Sequence, residues 1–150
     1  MLGSVLAISV GNYAELGRWD DARTLVDELI PVIRAHPGAA AGWEMVAPYA
    51  GHLGVREELR QIVETAPPSA WNDASLRSLE LDFRGAAEIF AAMPSPTLEA
   101  RQRSSAGEQL IQAGRRAEGE VELQKALAFY RSVGATFFIQ RAEAHLAKSA

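Results

Sequence analysis

The sequence predicts an all-α protein, and three observations carry that reading. Alanine is the commonest of the 150 residues, and β-branched residues never alternate with polar ones over a strand's length. Turn-forming residues recur at Gly17-Arg18, His36-Pro37-Gly38, Gly54, Ala66-Pro67-Pro68, Leu81-Asp82, Pro94-Ser95-Pro96, Gly114 and Gly134, cutting the chain into segments of helical length. With 48% hydrophobic and 23% charged residues, those helices have enough apolar material to bury a core, expected here as one domain over residues 1–150.

The segments follow in order. Leu2 to Val10 is nearly all apolar but lacks a basic leader and an 18-residue apolar run, so it fits a packed helix better than a secretory signal or a membrane span. Leu2, Val5, Leu6, Ile8 and Val10 surround that helix with no charge before Glu15. Such a helix is expected to be covered, either by an earlier part of a longer protein or by self-association. Pro31 lies within Leu25 to Ala35, and Pro48 within Trp43 to Leu53. Each removes a backbone hydrogen bond, so a kink or a restart is expected at both. Asp20, Asp21, Glu57 and Glu58 follow turns, where carboxylates complement the helix dipole. Ser95-Pro96 reads as an N-cap followed by proline in the first turn. In the last segment, Phe138, Ile139, Ala142 and Leu146 form an inward stripe, with Gln140, Arg141, Glu143 and Lys148 outward.

Reactive constellations are scarce. Cysteine is absent, and His36, His52 and His145 are far apart, so no metal, cofactor or catalytic site is expected. Residues 1–75 carry five basic and ten acidic side chains, residues 76–150 ten and nine, so neither half has the clustered cations of a nucleic-acid surface. Arg101, Arg103, Arg115 and Arg116 lie near Glu99, Glu108 or Glu118 and read as solvated helix-face charges. A cytoplasmic location is the default.

Aligned on Gly17, Gly54, Leu81 and Gly114, the segments repeat at spacings of 37, 27 and 33 residues. Around these turns stand Tyr13, Trp19 and Ala22; Trp43 and Ala66; Phe83, Ala86 and Phe90; and Gly107, Leu123 and Ala126. This pattern resembles the tetratricopeptide repeat, a helix hairpin of about 34 residues. Leu81 stands where the motif has a turn glycine. The run from Ala113 to Thr136 is similar to the C-terminal end of the helical-repeat region in large bacterial ATPase-type transcription regulators and repeat-bearing adenylyl cyclases.

The resemblance implies a right-handed α-α superhelix of about four hairpins (2–36, 38–66, 69–94 and 96–133) with a capping helix over 136–149. It implies a non-enzymatic interaction domain, the C-terminal part of a bacterial signalling or transcription regulator. Its partner would be a protein, a peptide or an adjoining domain of a longer parent chain, with no direct nucleic-acid or membrane contact. Glu15, Glu44, His52, Trp71, Ser75, Arg101, Ser104 and Glu108 would line its concave groove. The Lys and Asn clamp by which chaperone-binding relatives hold a peptide carboxylate is missing. Two rivals stand beside this reading: a small-molecule sensor using Trp71, Arg101 and Glu108, and an enzyme with an unfamiliar helical site. From the residues themselves, Ala22, Ala66, Ala86 and Ala126 suit tight helix crossings, and Trp19, Trp43, Phe83 and Phe90 the wider gaps.

Overall fold

A computed structural model describes residues 2–36 and 42–148. The described residues form nine α-helices and two single-turn 3-10 helices, with no strand among them, so the chain is all-α. Pro37 and Gly38 of the second expected break, and residue 149 of the expected capping helix, lie outside the described residues. The chain divides into two compact units, Met1–Leu81 and Asp82–Ala150. The two helices of the expected third hairpin, 69–94, fall in different units.

The first unit contains α1 (Leu2–Glu15), α2 (Trp19–Ala35), the 3-10 turns Trp43–Met45 and Ala47–Tyr49, α3 (Ala50–Leu53), α4 (Arg56–Thr65) and α5 (Ala70–Leu79). Val10, Val26, Leu29, Ile33, Val46, Leu59 and Val63 form its core. Helix α1 contributes its small face, burying Gly3, Ala7, Val10, Gly11 and Ala14. A methyl group on Gly11 would lie 2.8 Å from the Met45 carbonyl oxygen, so a larger residue would push this contact apart. Of the apolar surround expected for this helix, Val10 is buried and Leu6 packs on the core, whereas Leu2, Val5 and Ile8 are 64%, 60% and 47% exposed.

The prolines behave differently from each other. Around Pro48 the expected helix is replaced by two 3-10 turns followed by the four-residue α3; Pro48 opens the second turn, where its missing N–H is not needed. At Pro31, where a kink or a restart was expected, there is no restart and α2 continues to Ala35. Buried Ile30 and Ile33 flank the proline, and their burial offsets the one lost backbone bond.

The second unit contains α6 (Phe83–Ala92), α7 (Pro96–Gln112), α8 (Arg116–Ser132) and α9 (Thr136–Lys148), each packed on the next. The crossing of α7 and α8 is reciprocal. A Cβ on Gly107 would sit 2.9 Å from the Gly119 carbonyl oxygen, and one on Gly119 would sit 2.7 Å from that of Gly107. Ala100, Ala126 and Tyr130 form the core beside it, against Phe129, Ala135, Phe138 and Ile139. Helix α9 seats Ala142 inward and exposes Gln140, Glu143 and Lys148, as its pattern predicts. Arg141 was expected outward but is half-buried and paired with Glu108.

One device ends five of the helices. Gly17, Gly54, Gly114 and Gly134 have φ of 71°, 76°, 78° and 67°, and Leu81 has φ 66°. At each glycine its own N–H and that of the following residue reach back to carbonyls three and five residues earlier, as in Gly114 to Ile111 and Arg115 to Leu110. This is the Schellman closure, whose left-handed residue is normally glycine. Leu81 takes the same conformation without being glycine and gives its N–H to the Ser78 carbonyl. Ser69 and Asp82 cap α5 and α6 by accepting from the Asn72 and Gly85 N–H groups. Ser95 occupies the N-cap position of α7 with Pro96 after it, but its side chain makes no capping bond.

Two glycines of different kinds make a test. A Cβ at Gly114 meets nothing within 4 Å, so Gly114→Ala costs only left-handed backbone strain, about 1 kcal/mol, and Gly114→Asn recovers part of it. Gly119 is helical and carries no such strain, but a Cβ there collides with α7, so Gly119→Ala should cost about 1–3 kcal/mol, with Gly119→Asn worse still. Urea unfolding of the four variants checks this ordering.

Candidate interaction surfaces

Polar side chains in this protein are mostly committed to one another. In the first unit, Glu15 at the end of α1 accepts from the Tyr49 hydroxyl. Trp19 meets Tyr49 edge-on at 6.3 Å and stacks on His52 at 5.0 Å. His52, one of the expected groove residues, is exposed, and Arg23 donates to its carbonyl. Glu44 accepts from the Gly42 N–H at 3.0 Å. Burial pushes the Glu44 carboxyl above the ordinary 4.5, and its backbone hydrogen bonds only partly offset this. Trp43 is buried and donates through Nε1 to Asn72, which in turn donates to the Pro67 carbonyl.

Helix α5 carries two of the expected groove residues with opposite fates. Trp71 is 45% exposed. Ser75 is fully buried, with its hydroxyl donating to the Trp71 carbonyl one turn earlier, so it offers a partner nothing.

In the second unit, Arg101, Ser104 and Glu108 engage neighbouring helices. The Arg101 guanidinium lies over the Phe138 ring at 5.5 Å. Ser104 shares a hydrogen bond with the Tyr130 hydroxyl at 3.2 Å. Glu108 meets Arg141 at 3.3 Å and His145 at 3.2 Å. The face expected to line an open groove is therefore occupied by α9, and these three residues help seat it. Trp71 belongs to the other unit, so the polar-aromatic set expected for a small-molecule sensor is not assembled within either one.

A buried ion cluster was missed. The Glu122 side chain is 4% exposed and accepts from Arg103 at 2.8 Å, with Arg84 Nε and Lys125 Nζ each at 3.4 Å. Arg103, read from the sequence as a solvated charge, is only 11% exposed and also binds Glu99 at 2.7 Å. Burial alone would lower the Arg103 pKa, but the hydrogen bonds from Glu99 and Glu122 outweigh it and hold it up. The i,i+4 spacing of Glu99 and Arg103 was visible, whereas Glu122 lies on another helix. Arg115 with Glu118 and Arg116 with Glu120 are ordinary surface pairs.

What the surface does offer is apolar. Besides Trp71 and the α1 stripe, Val121 and Phe137 are 53% and 44% exposed. Ala117, Glu120, Val121, Gln124 and Lys125 of α8 and Leu146 of α9 line an open groove of about 680 Å³. No group of three His, Asp or Glu side chains able to hold a metal occurs among the described residues, and no helix there is long and apolar enough to cross a membrane. No family model, no curated protein and no solved structure matches this chain.

Arg103→Ala leaves Glu122 buried without its best partner and should cost about 3 kcal/mol. Adding Glu122→Gln should recover a substantial part, as read by urea unfolding. Glu44 gives a pH test. Its folded pKa is raised, so ionising it costs the folded state nothing below about 4.5 and progressively more as pH rises through the folded value. Glu44→Gln keeps an acceptor for Gly42 and should raise Tm at pH 7, with the gain disappearing below pH 4.5.

Proposed function

We propose that this chain is a non-enzymatic helical-repeat interaction domain of the tetratricopeptide type, binding a protein segment or an adjoining domain of a bacterial regulator. Its helices form a right-handed superhelix, each hairpin closing through one left-handed residue. Support for the repeat comes from the recurrence of that closure at Gly17, Gly54, Leu81 and Gly114. The residues following two of these turns also correspond: Arg18 pairs with Asp21 and Arg115 with Glu118, three positions on in each case. Buried Ala22, Ala86 and Ala126 add the small side chains that helix hairpins need at their contacts.

One observation carries the binding role: Trp71 stands 45% exposed on the first turn of α5, in a chain whose carboxylates and guanidinium groups are largely paired with each other. A partly exposed tryptophan presents a large rigid apolar surface, the chemistry enriched at interface hot spots. The groove implied by the resemblance is thereby narrowed to the side where Trp71 is accessible, with Arg101, Ser104 and Glu108 assigned to the seating of α9.

Affinity capture with the wild-type chain, followed by binding measurements on the purified partner, tests this. Trp71→Ala should weaken binding by at least tenfold while leaving Tm within a few degrees. A partner bound equally by both proteins would remove Trp71 from the interface. Turnover of a substrate by the purified chain would overturn the non-enzymatic reading.

A further inference from the structure

Two apolar surfaces in this protein match as donor and acceptor of a helix. On α1, Leu2, Val5 and Ile8 recur every three residues with 64%, 60% and 47% of their surface exposed, and the helix carries no charged side chain before Glu15. On the second unit, the groove between α8 and α9 is lined by Ala117, Glu120, Val121, Gln124, Lys125 and Leu146.

The unit itself illustrates what such a groove accepts. Helix α9 lies against α7 and α8, setting Phe138, Ile139 and Ala142 against Ala100, Ala126 and Tyr130. The α8–α9 groove is the same kind of two-helix surface one step further along the chain. Its volume of about 680 Å³ is room for several aliphatic side chains.

We propose that α1 of a second copy docks in the α8–α9 groove, so that copies associate head to tail. Charge favours this pairing over its symmetric competitor. Residues 1–81 carry six basic and eleven acidic side chains, net −5, and residues 82–150 carry nine and eight, net +1. Head-to-tail contact brings opposite signs together, whereas two α1 helices meeting about a two-fold axis set −5 against −5. The groove's own lining is locally balanced, with Glu120 paired to Arg116 and Lys125 to Glu122, so the preference is set by the charge of the units as wholes. The contact is heterologous and leaves a free α1 and a free groove at the two ends, so assembly continues beyond a dimer. With only a few side chains on each surface, against the 20–30 residues a side of a standard interface, the association is weak and concentration-dependent. It rests on side chains other than Trp71 and stands apart from the partner reading above.

Val5 and Val121 are exposed, so Val5→Lys and Val121→Lys leave the core intact, which circular dichroism and Tm verify. In sedimentation velocity up to about 1 mM chain, the wild type should grow past the dimer with concentration, and each variant alone should be monomeric. An equimolar mixture of the two variants should form dimers and nothing larger, because the intact α1 of one fits the intact groove of the other. A wild type monomeric throughout overturns the proposal. So does self-association of Val121→Lys with Val5→Lys monomeric, which would assign the contact to paired α1 helices. Failure here leaves the Trp71 test unaffected.

Discussion

In both units helix backbones approach so closely that a single methyl group would not fit, and the surrounding packing follows from that approach. Gly107 and Gly119 face each other across α7 and α8, each occupying the space that a side chain on the other would need. Gly11 plays the same part beneath Met45. Leu123 and Ile111 pack directly on the Gly107–Gly119 contact and fill the room the two glycines leave. Elsewhere in the cores Ala22, Ala50, Ala86 and Ala126 are fully buried, as are Leu29, Leu59 and Phe90. Close packing leaves little slack at such a crossing, because a void or an overlap of one methyl is felt directly. The left-handed turn residues act with it: a tight reversal at Gly114 returns the chain along α7 at the separation that Gly107 and Gly119 allow.

The turns were the most legible part of the fold, for a physical reason. A Schellman closure needs one residue at positive φ, and glycine there is a local requirement visible without knowing what packs on what. Even Leu81 was placed correctly by its spacing, although its side chain disfavours the conformation it adopts. Features that depend on the mutual register of two helices were not readable. Nothing in one helix says that Gly119 meets Gly107, or that Glu122 reaches Arg103 nineteen positions away. Ser75 failed for a related reason: a serine hydroxyl satisfied by its own helix is compatible with burial, and the pattern of α5 alone does not decide which way it faces. The segment around Pro48 kept its place but not its form, since proline permits the start of several short turns as readily as a kinked helix.

Charge in the second unit is used mainly to fix geometry. A carboxylate at 4% exposure must be compensated, and Glu122 recruits cations from α6, α7 and α8. Glu108 does similar work for α9, holding Arg141 and His145 on consecutive turns. Such contacts add less net stability than their number suggests, because desolvation offsets most of the Coulomb gain, but they discriminate strongly between registers. A one-residue slip of α9 would withdraw Arg141 and His145 from Glu108 and lift Phe138 from Tyr130 together. Arg101 and Glu108, expected to face a partner, thus serve to define where α9 sits.

Helices α1 and α9 show how the same apolar content can be put to opposite uses. Helix α9 turns Phe138, Ile139 and Ala142 towards the core, as burial favours. Helix α1 divides its aliphatic residues, burying Val10 with Gly3, Ala7, Gly11 and Ala14 and packing Leu6 on the core, while Leu2, Val5 and Ile8 face outward. About half exposed, each of those three forgoes half of the roughly 1.5–3 kcal/mol of full burial, so stability alone does not explain the choice. Close approach explains part of it: the contact of Gly11 with the Met45 backbone leaves no room for a side chain at that position. The large aliphatic residues on the remaining face have no source in the packing of this unit, and the proposed docking of α1 into a second copy would give them one.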